Sequence, residues 1–191
     1  MKSLIIYESM YGNTRKIAEA IAKGMRSAGV GSTETSGGNP AVVEGVPASH
    51  ASEFDLAPYD LVVVGGPTQI HGLSRQRTRQ GAIDAAGQSG ATLQLDAAAS
   101  GTGTGIREWL STLDAVDSCA AAFDTRLDRS PLITGRASKT IAKLLQKLGC
   151  TLIVGPESFL VDASTTLKQG EVVTDEEWGR TFVAVYTSPK T

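Results

Sequence analysis

Short apolar runs and longer amphipathic stretches alternate along this chain. The clear apolar runs cover residues 4–7, 61–64, 120–123 and 151–154, and a weaker run covers residues 41–46. Runs of this length that are bounded by polar or glycine-rich segments predict β-strands. Because residues 61–64 are apolar at every position, the pattern favours a parallel sheet that is covered on both faces.

The stretches between these runs carry apolar residues at helical spacing. The predicted helix faces contain Ile17, Ile21, Met25 and Ala28, then Ile106, Trp109, Leu110 and Leu113, then Ile141, Leu144, Leu145 and Leu148. A last helix is expected to begin at a capping box formed by Thr174 and Glu177, with Trp178, Phe182, Val185 and Tyr186 on one stripe. This alternation predicts one α/β domain over residues 1–191, with a doubly wound parallel five-stranded sheet in three layers.

The segment 74–103 shows neither a helical nor a strand period. It is longer than the usual connection in a compact domain, so we expect a flexible insertion, a lid or a disordered loop. Three arginines, Arg75, Arg77 and Arg79, stand near its start. They are either solvated charges or contacts for a nicotinamide dinucleotide phosphate or an acidic partner.

Charge and composition exclude several classes of partner. With a net charge of -2 over 191 residues, the chain lacks the basic footprint of a nucleic-acid-binding protein. No apolar run approaches the length of a membrane span, and residues 1–7 are too short for a signal peptide, so we expect a cytoplasmic protein. Cys119 and Cys150 lack metal-ligand spacing, and we expect buried thiols and no metal site.

Polar residues and a glycine directly follow the first predicted strand. The sequence Ser9-Met10-Tyr11-Gly12-Asn13-Thr14 leads from this strand into the first helix. Two hydroxyls, a glycine that permits close approach and the unpaired amides at the start of a helix suit a phosphate group without any lysine or arginine. Neither a Walker loop nor a dinucleotide fingerprint is present here. The alternative is that these residues only form a turn and a helix cap.

The stretch Ile5-Ile6-Tyr7-Glu8-Ser9-Met10-Tyr11-Gly12-Asn13-Thr14-Arg15-Lys16-Ile17-Ala18 resembles the signature of the flavodoxin family. That signature is an apolar strand ending in an aromatic residue, then Ser or Thr, a small residue, Asn-Thr and a helix containing Ala. The resemblance implies a flavodoxin-like fold and FMN as cofactor. It assigns the phosphate of FMN to Ser9, Met10, Tyr11, Gly12, Asn13 and Thr14.

Two later segments occupy the positions of flavin-flanking loops. Residues 65–72 resemble the Gly-Pro-Thr loop of flavodoxins and flavodoxin-like quinone reductases, which implies that Pro67, Thr68, Gln69, Ile70, His71 and Gly72 lie against the flavin ring. The segment after residues 120–123 implies a second wall formed by Thr125, Arg126 and Leu127. A plain glycine-rich turn is the alternative for the first loop. The second loop contains no aromatic residue, so we expect looser FMN binding than in an ordinary flavodoxin.

The resemblance implies electron transfer through FMN, with no catalytic side chain required because the cofactor supplies the chemistry. An electron carrier with a redox partner protein and an oxidoreductase acting on NAD(P)H or quinones would share these motifs. The small net charge argues mildly against a carrier, since such proteins are typically acidic. The alternative from another class is a flavodoxin-like domain that holds no flavin and serves as a partner-binding module.

Overall fold

A computed structural model of the protein describes residues 1–31, 42–99 and 103–187. Position 41 of the weak strand prediction and positions 100–102 of the predicted insertion lie outside these ranges. None of the described helices is long and apolar enough to cross a membrane.

A parallel sheet forms the middle layer. The strands are β1 (Lys2–Tyr7), β2 (Val42–Pro47), β3 (Leu61–Gln69), β4 (Gly72–Leu73), β5 (Cys119–Leu127), β6 (Thr151–Leu152) and β7 (Glu157–Val161). The order is β2-β1-β3-β5, with β6 and β7 both pairing with β5 in parallel and β4 pairing antiparallel with β3. The predicted parallel sheet of five positions is confirmed, and β6 and β7 share the fifth position.

Helices cover both faces of this sheet. They are α1 (Asn13–Gly31), α2 (Gln76–Ala86), α3 (Ile106–Thr112), α4 (Pro131–Thr134), α5 (Ala137–Lys147) and α6 (Glu171–Thr187), and a 3-10 helix spans Ala48–Glu53. On one face, α1 and α6 pack over Ile5 and Val63, and on the other, α3 and α5 pack over Leu4 and Val62. Successive strand residues therefore feed opposite cores, which explains why both faces of β1 and β3 are apolar.

The predicted apolar faces of α1, α3 and α5 are confirmed, since Ile17, Ile106 and Ile141 are fully buried. The predicted start of the last helix is wrong. Helix α6 begins at Glu171, and the Thr174 hydroxyl lies inside it and donates to the Gly170 carbonyl. Its stripe is also only partly buried, because Phe182 is buried while Val185 and Tyr186 are exposed.

The structure corrects the prediction that residues 74–103 lack helical structure. Residues 76–86 form α2, whose one buried residue is Arg79. The Thr78 hydroxyl accepts from the Arg75 amide at 2.9 Å and so satisfies a donor at the helix start. Because α2 presents a charged residue inward, it has no apolar stripe that a periodicity search could detect.

Close packing of α1 on α6 buries a carboxyl group. A side chain at Gly24 would collide with the Glu176 carbonyl, and one at Gly179 would collide with the Ile21 carbonyl, so the two glycines permit this approach. Asp175 is fully buried at this level of α6, and neither carboxyl oxygen has a hydrogen-bond partner among the described residues. Burial, assisted by the charges of Glu171 and Glu176, raises the pKa of Asp175 to about 8.

The raised pKa of Asp175 predicts that stability falls as pH rises. The folded chain keeps a proton that the unfolded chain releases near pH 4, so the free energy of unfolding falls as pH rises from about 4 to about 8 and levels off above pH 8. We expect Asp175→Ala to be more stable than the wild type at pH 9 by about 1–3 kcal/mol, because it removes an unpaired buried polar group.

Urea unfolding at pH 5 and pH 9 measures this effect. Glu177→Ala is the control, since Glu177 is an exposed carboxylate of the same helix. Parallel pH dependence in the wild type and Asp175→Ala would show that Asp175 is not protonated in the folded protein.

Candidate site at the carboxyl edge of the sheet

The parallel register places three strand ends side by side. Tyr7 of β1 lies opposite Gly65 of β3, which lies opposite Phe123 of β5. The residues that follow these positions therefore meet at one edge of the sheet, where ligands bind in doubly wound folds. β3 and β5 continue further than predicted, so Pro67 and Thr125 are paired strand residues and not loop residues.

The N-terminus of α1 opens onto this edge. Gly12 has φ of 86°, a left-handed conformation that favours glycine, and it turns the chain into the helix. The Lys16 amide makes the first helical hydrogen bond to the Gly12 carbonyl at 3.0 Å. The amides of Asn13, Thr14 and Arg15 therefore precede the hydrogen-bond ladder of α1, and the helix dipole makes this end favourable for an anion.

Side-chain contacts fix the shape of the Ser9–Thr14 loop. The Ser9 hydroxyl accepts from the Gly12 amide at 3.1 Å. The Asn13 amide group donates to the Thr165 carbonyl at 2.6 Å, which joins the loop to the chain after β7. The Thr14 and Thr125 hydroxyl oxygens lie 2.8 Å apart in a buried hydrogen bond between α1 and β5. The loop is thus held at both ends.

A cavity of about 240 Å³ lies between the loop and the strand ends. Residues from four segments line it: Met10, Tyr11, Asn13, Thr14, Pro67, Thr68, Gln69, Thr125, Arg126, Leu127, Val161, Ala163 and Thr165. The structure thereby brings together most of the residues that the sequence nominated. Ser9 and Gly12 lie within the loop behind this lining, and Gly72 pairs with Gln69 in the β3–β4 hairpin.

An adjoining cavity of about 230 Å³ shares Thr68 and Leu127 with the first. The predicted residues Ile70 and His71 line it, at the tip of the β3–β4 hairpin. Both have positive φ, 40° and 67°, which is uncommon for side chains of this kind and stores strain in the turn. Ile70 is 80% exposed, so the tip presents an apolar side chain to solvent beside the cavity.

Two polar atoms in the first cavity are buried and have no hydrogen-bond partner among the described residues. They are the Gln69 side-chain carbonyl oxygen and the Arg126 Nε. The other end of the Arg126 guanidinium donates to the Leu127 and Arg129 carbonyls, at 3.1 and 2.7 Å. One acceptor and one donor of the cavity-lining residues are therefore unpaired within the described part of the chain. The ring of Tyr11 also lines this cavity, and its hydroxyl donates to the Ala82 carbonyl at 3.0 Å.

Asp124 of β5 joins Thr68 of β3 to the start of α5, although the sequence patterns did not nominate it. Its carboxylate accepts from the Thr68 hydroxyl at 3.1 Å and from the Ser138 amide at 2.8 Å. The Thr68 hydroxyl accepts in turn from the Ala137 amide at 2.8 Å. Burial raises the pKa of Asp124 above its ordinary value. This network sets the distance between the end of β3, β5 and the start of α5.

A buried ion cluster supports the side of the site that carries the Ser9–Thr14 loop. Glu8 accepts from the Ile106 amide at 3.0 Å and lies 3.9 Å from the Arg79 guanidinium. Arg79 also pairs with Glu108 at 3.0 Å and donates to the Gly103 carbonyl at 3.0 Å. Of the three arginines near residue 77, Arg75 and Arg77 are exposed, but Arg79 is buried and structural. The expectation of three solvated or ligand-binding charges is therefore wrong for Arg79.

Comparisons with known proteins agree with this geometry. The model of a flavodoxin domain matches residues 4–78. The NAD(P)H dehydrogenase (quinone) of Cupriavidus metallidurans is 37% identical over 89 residues, which are 39% of this chain and 42% of that protein. The enzyme with the same name from Gluconacetobacter diazotrophicus is 33% identical over 85 residues, with the same two shares.

Solved structures resemble the whole chain. A flavodoxin from the domain Archaea has a TM-score of 0.61 at 16% identity and covers 97% of this chain and 99% of its own. A flavodoxin, WrbA-like protein from Agrobacterium tumefaciens has a TM-score of 0.57 at 17% identity and covers 96% of each chain. This chain has a flavodoxin-like fold.

The fold assignment rests on the shared architecture, and the family-model match adds the first strand, the loop after it and the first helix. The chain matches 42% of the length of each curated relative, so the activity of those enzymes is not transferred by the match alone. At identities of 16% and 17% the structural likeness describes the fold.

Removing the buried cation tests the contribution of the ion cluster to stability. We expect Arg79→Met to lower the free energy of unfolding by about 3–5 kcal/mol, because Glu8 is left buried without its counterion. Arg75→Met is the matched control on the same segment and should change stability by less than about 0.5 kcal/mol, since Arg75 is exposed. Chemical unfolding of both variants measures the difference, and equal small losses would mean that the cluster contributes nothing to stability.

Proposed function

We propose that this chain binds FMN at the carboxyl edge of the sheet and transfers electrons through the flavin. The observation that carries the proposal is the position of the α1 N-terminus. Its unpaired amides and the Thr14–Thr125 hydroxyl pair adjoin a cavity whose remaining walls are the ends of β3 and β5. A phosphate group at one end and a flat ring at the other suit these two kinds of wall.

The phosphate end of the site fits a dianion in its donors. In this proposal the backbone amides of Asn13, Thr14 and Arg15 bind the phosphate oxygens, and the helix dipole supplies the favourable potential. The Thr14 and Thr125 hydroxyls share one hydrogen bond, so one of their two protons remains available to an acceptor. Charge-assisted hydrogen bonds of this kind contribute about 1.5–3 kcal/mol each.

The ring end fits a planar group that both donates and accepts hydrogen bonds. Gln69 offers its buried carbonyl oxygen and Arg126 its buried Nε, while Leu127 and Tyr11 supply apolar and aromatic wall. Leu127 and the exposed Ile70 also border the second cavity, where the outer part of a ring has room. The two flanking segments contain no aromatic residue beside the ring. In this proposal Tyr11 takes that place, because it lines the cavity from the Ser9–Thr14 loop.

When bound, FMN supplies the electron-accepting and electron-donating chemistry. The side chains around it bind and orient the ring and exclude water from its inner edge. The Asp124 network keeps the two ring-flanking strands at a fixed distance. No side chain is required as an acid, base or nucleophile.

Small molecules are the proposed electron donor and acceptor. The names of the two curated relatives support an NAD(P)H- and quinone-dependent reaction. The flavodoxin-domain model matches residues 4–78, which include the Ser9–Thr14 loop and the Gly-Pro-Thr segment. The net charge of -2 is small for an electron carrier that must be steered to a protein partner. The apolar Ile70 tip beside the second cavity suits an uncharged planar acceptor such as a quinone.

Two substitutions separate the phosphate end from the ring end. We expect Thr14→Val to weaken FMN binding by about 1–3 kcal/mol, because it removes a hydroxyl beside the anion, and to leave riboflavin binding unchanged. Gln69→Leu should weaken FMN and riboflavin equally, because both ligands carry the same ring. Flavin fluorescence titrations of the purified protein measure the four affinities.

Thr181→Val is the control for the first substitution, since Thr181 lies exposed on α6. Loss of FMN and riboflavin affinity to the same degree in Thr14→Val would remove the loop from its phosphate-binding role. A colourless protein that binds neither flavin would refute the proposal and favour the partner-binding module.

A further inference from the structure

A carboxylate lies against the proposed phosphate loop. The chain from residue 87 to residue 99 forms neither helix nor strand and passes beside the loop, and we call it the strap. Every residue of the strap is exposed or half-buried except Asp96, whose side chain is fully buried. The strap is therefore fixed to the rest of the structure by a buried charged side chain, although buried side chains are usually apolar.

Asp96 is bonded to the loop through both its backbone and its side chain. Its amide donates to the Met10 carbonyl at 2.8 Å. One carboxylate oxygen lies 3.6 Å from the position that a Cβ on Gly12 would occupy, so the carboxylate is in van der Waals range of the loop backbone. The Ala98 amide donates to the carboxylate at 3.1 Å and closes a turn of the strap around it.

The Asp96 carboxylate also forms an ion pair with Arg15, the arginine that directly follows the loop in the sequence. Arg15 Nε donates to both oxygens of Asp96, at 3.1 and 3.0 Å, and Arg15 Nη1 pairs with Glu19 at 3.1 Å. The loop itself, from Ser9 to Thr14, contains no lysine or arginine. Burial alone would raise the pKa of Asp96, but the hydrogen bonds from Ala98, Arg15 and Ser9 outweigh it and hold the pKa below its ordinary value. Asp96 is thus a charged carboxylate that uses the Arg15 guanidinium and the Ser9 proton.

We propose that Asp96 is an internal anion that opposes the phosphate of the flavin and sets how strongly this loop prefers FMN to riboflavin. The inference rests on the proposed function. A phosphate dianion at the α1 N-terminus would lie beside the Asp96 carboxylate, which is in van der Waals range of Gly12 and already holds the Ser9 proton and the Arg15 guanidinium. Their charges also repel each other at short range. Strap closure and phosphate binding are therefore antagonistic, and opening the strap releases Arg15 toward the loop.

Substitution of one carboxylate oxygen tests the proposal. Asp96→Asn keeps the shape of the side chain and removes its charge, so FMN should bind about tenfold more tightly or better, while riboflavin affinity stays unchanged. Asp84→Asn is the matched control, because Asp84 lies exposed on α2, pairs with Gln80 at 2.8 Å and carries the same charge. It should change neither affinity.

Unchanged or weaker FMN binding in Asp96→Asn would overturn the inference, since a strap that merely braces the loop predicts a loss. If the wild type binds FMN in that case, the proposed function stands without it. Binding of FMN to Asp96→Asn but not to the wild type would support the inference most strongly. Absence of FMN binding in both proteins would overturn the inference and the proposed function together.

A second measurement uses the unmodified protein. The amides of Asp96 and Ala98 report strap closure, because each makes one of the bonds that hold the strap to the loop or around the carboxylate. Their hydrogen exchange should become faster when FMN or inorganic phosphate is added, and it should not change with riboflavin. Slower or unchanged exchange with FMN bound would contradict the antagonism.

Discussion

The start of helix α1 imposes the constraint on which the proposed site depends. Amides in the first turn of a helix have no carbonyl partner within it, and an anion is the ligand that satisfies several of them at once. Parallel pairing of β1 with β3 and of β3 with β5 delivers this helix end to the same edge as the ends of the other two strands. The left-handed conformation of Gly12 turns the chain from strand to helix at that edge.

Carboxylates at strand ends hold the surroundings of this helix end in place. Glu8 follows β1 and bonds the start of α3, while Asp124 lies in β5 and bonds the start of α5. Each carboxylate thus satisfies an amide at a helix start and ties that helix to the sheet. Arg79 of α2 compensates the charge of Glu8, which directly precedes the Ser9–Thr14 loop. The Tyr11 hydroxyl of this loop bonds Ala82 of α2, so two contacts attach α2 to this part of the chain. Buried charges here position polypeptide segments, a role that apolar packing performs in the two cores.

The sequence predicted those features that come from apolar periodicity and from residues adjacent along the chain. The fully buried strands, the faces of α1, α3 and α5, and the loop from Ser9 to Thr14 belong to this group. Strand β7 was missed, because Pro156 and the polar residues Glu157 and Ser158 interrupt its apolar pattern. Thr165, which follows β7 and lines the cavity, was missed with it.

The burial of two charged residues was missed for a different reason. Arg79 and Asp96 are each buried by a partner that is distant in sequence, Glu8 for the arginine and Arg15 for the aspartate. A single sequence contains no local signal for such pairs, since a charged residue in a polar stretch is usually solvated. Tertiary packing brings these partners together, and it becomes visible only in the folded chain.

In the proposed binding mode the α1 N-terminus binds the phosphate of FMN, and the ends of β3 and β5 hold the ring. Amide chemical shifts recorded during parallel titrations with FMN and riboflavin test it most directly. If the ring and the phosphate bind at these places, both ligands shift the amides of Gln69, Arg126 and Leu127. FMN alone shifts the amides of Asn13 and Thr14. Equal shifts of Asn13 and Thr14 with both ligands, or no shift at these two amides with FMN, would contradict it.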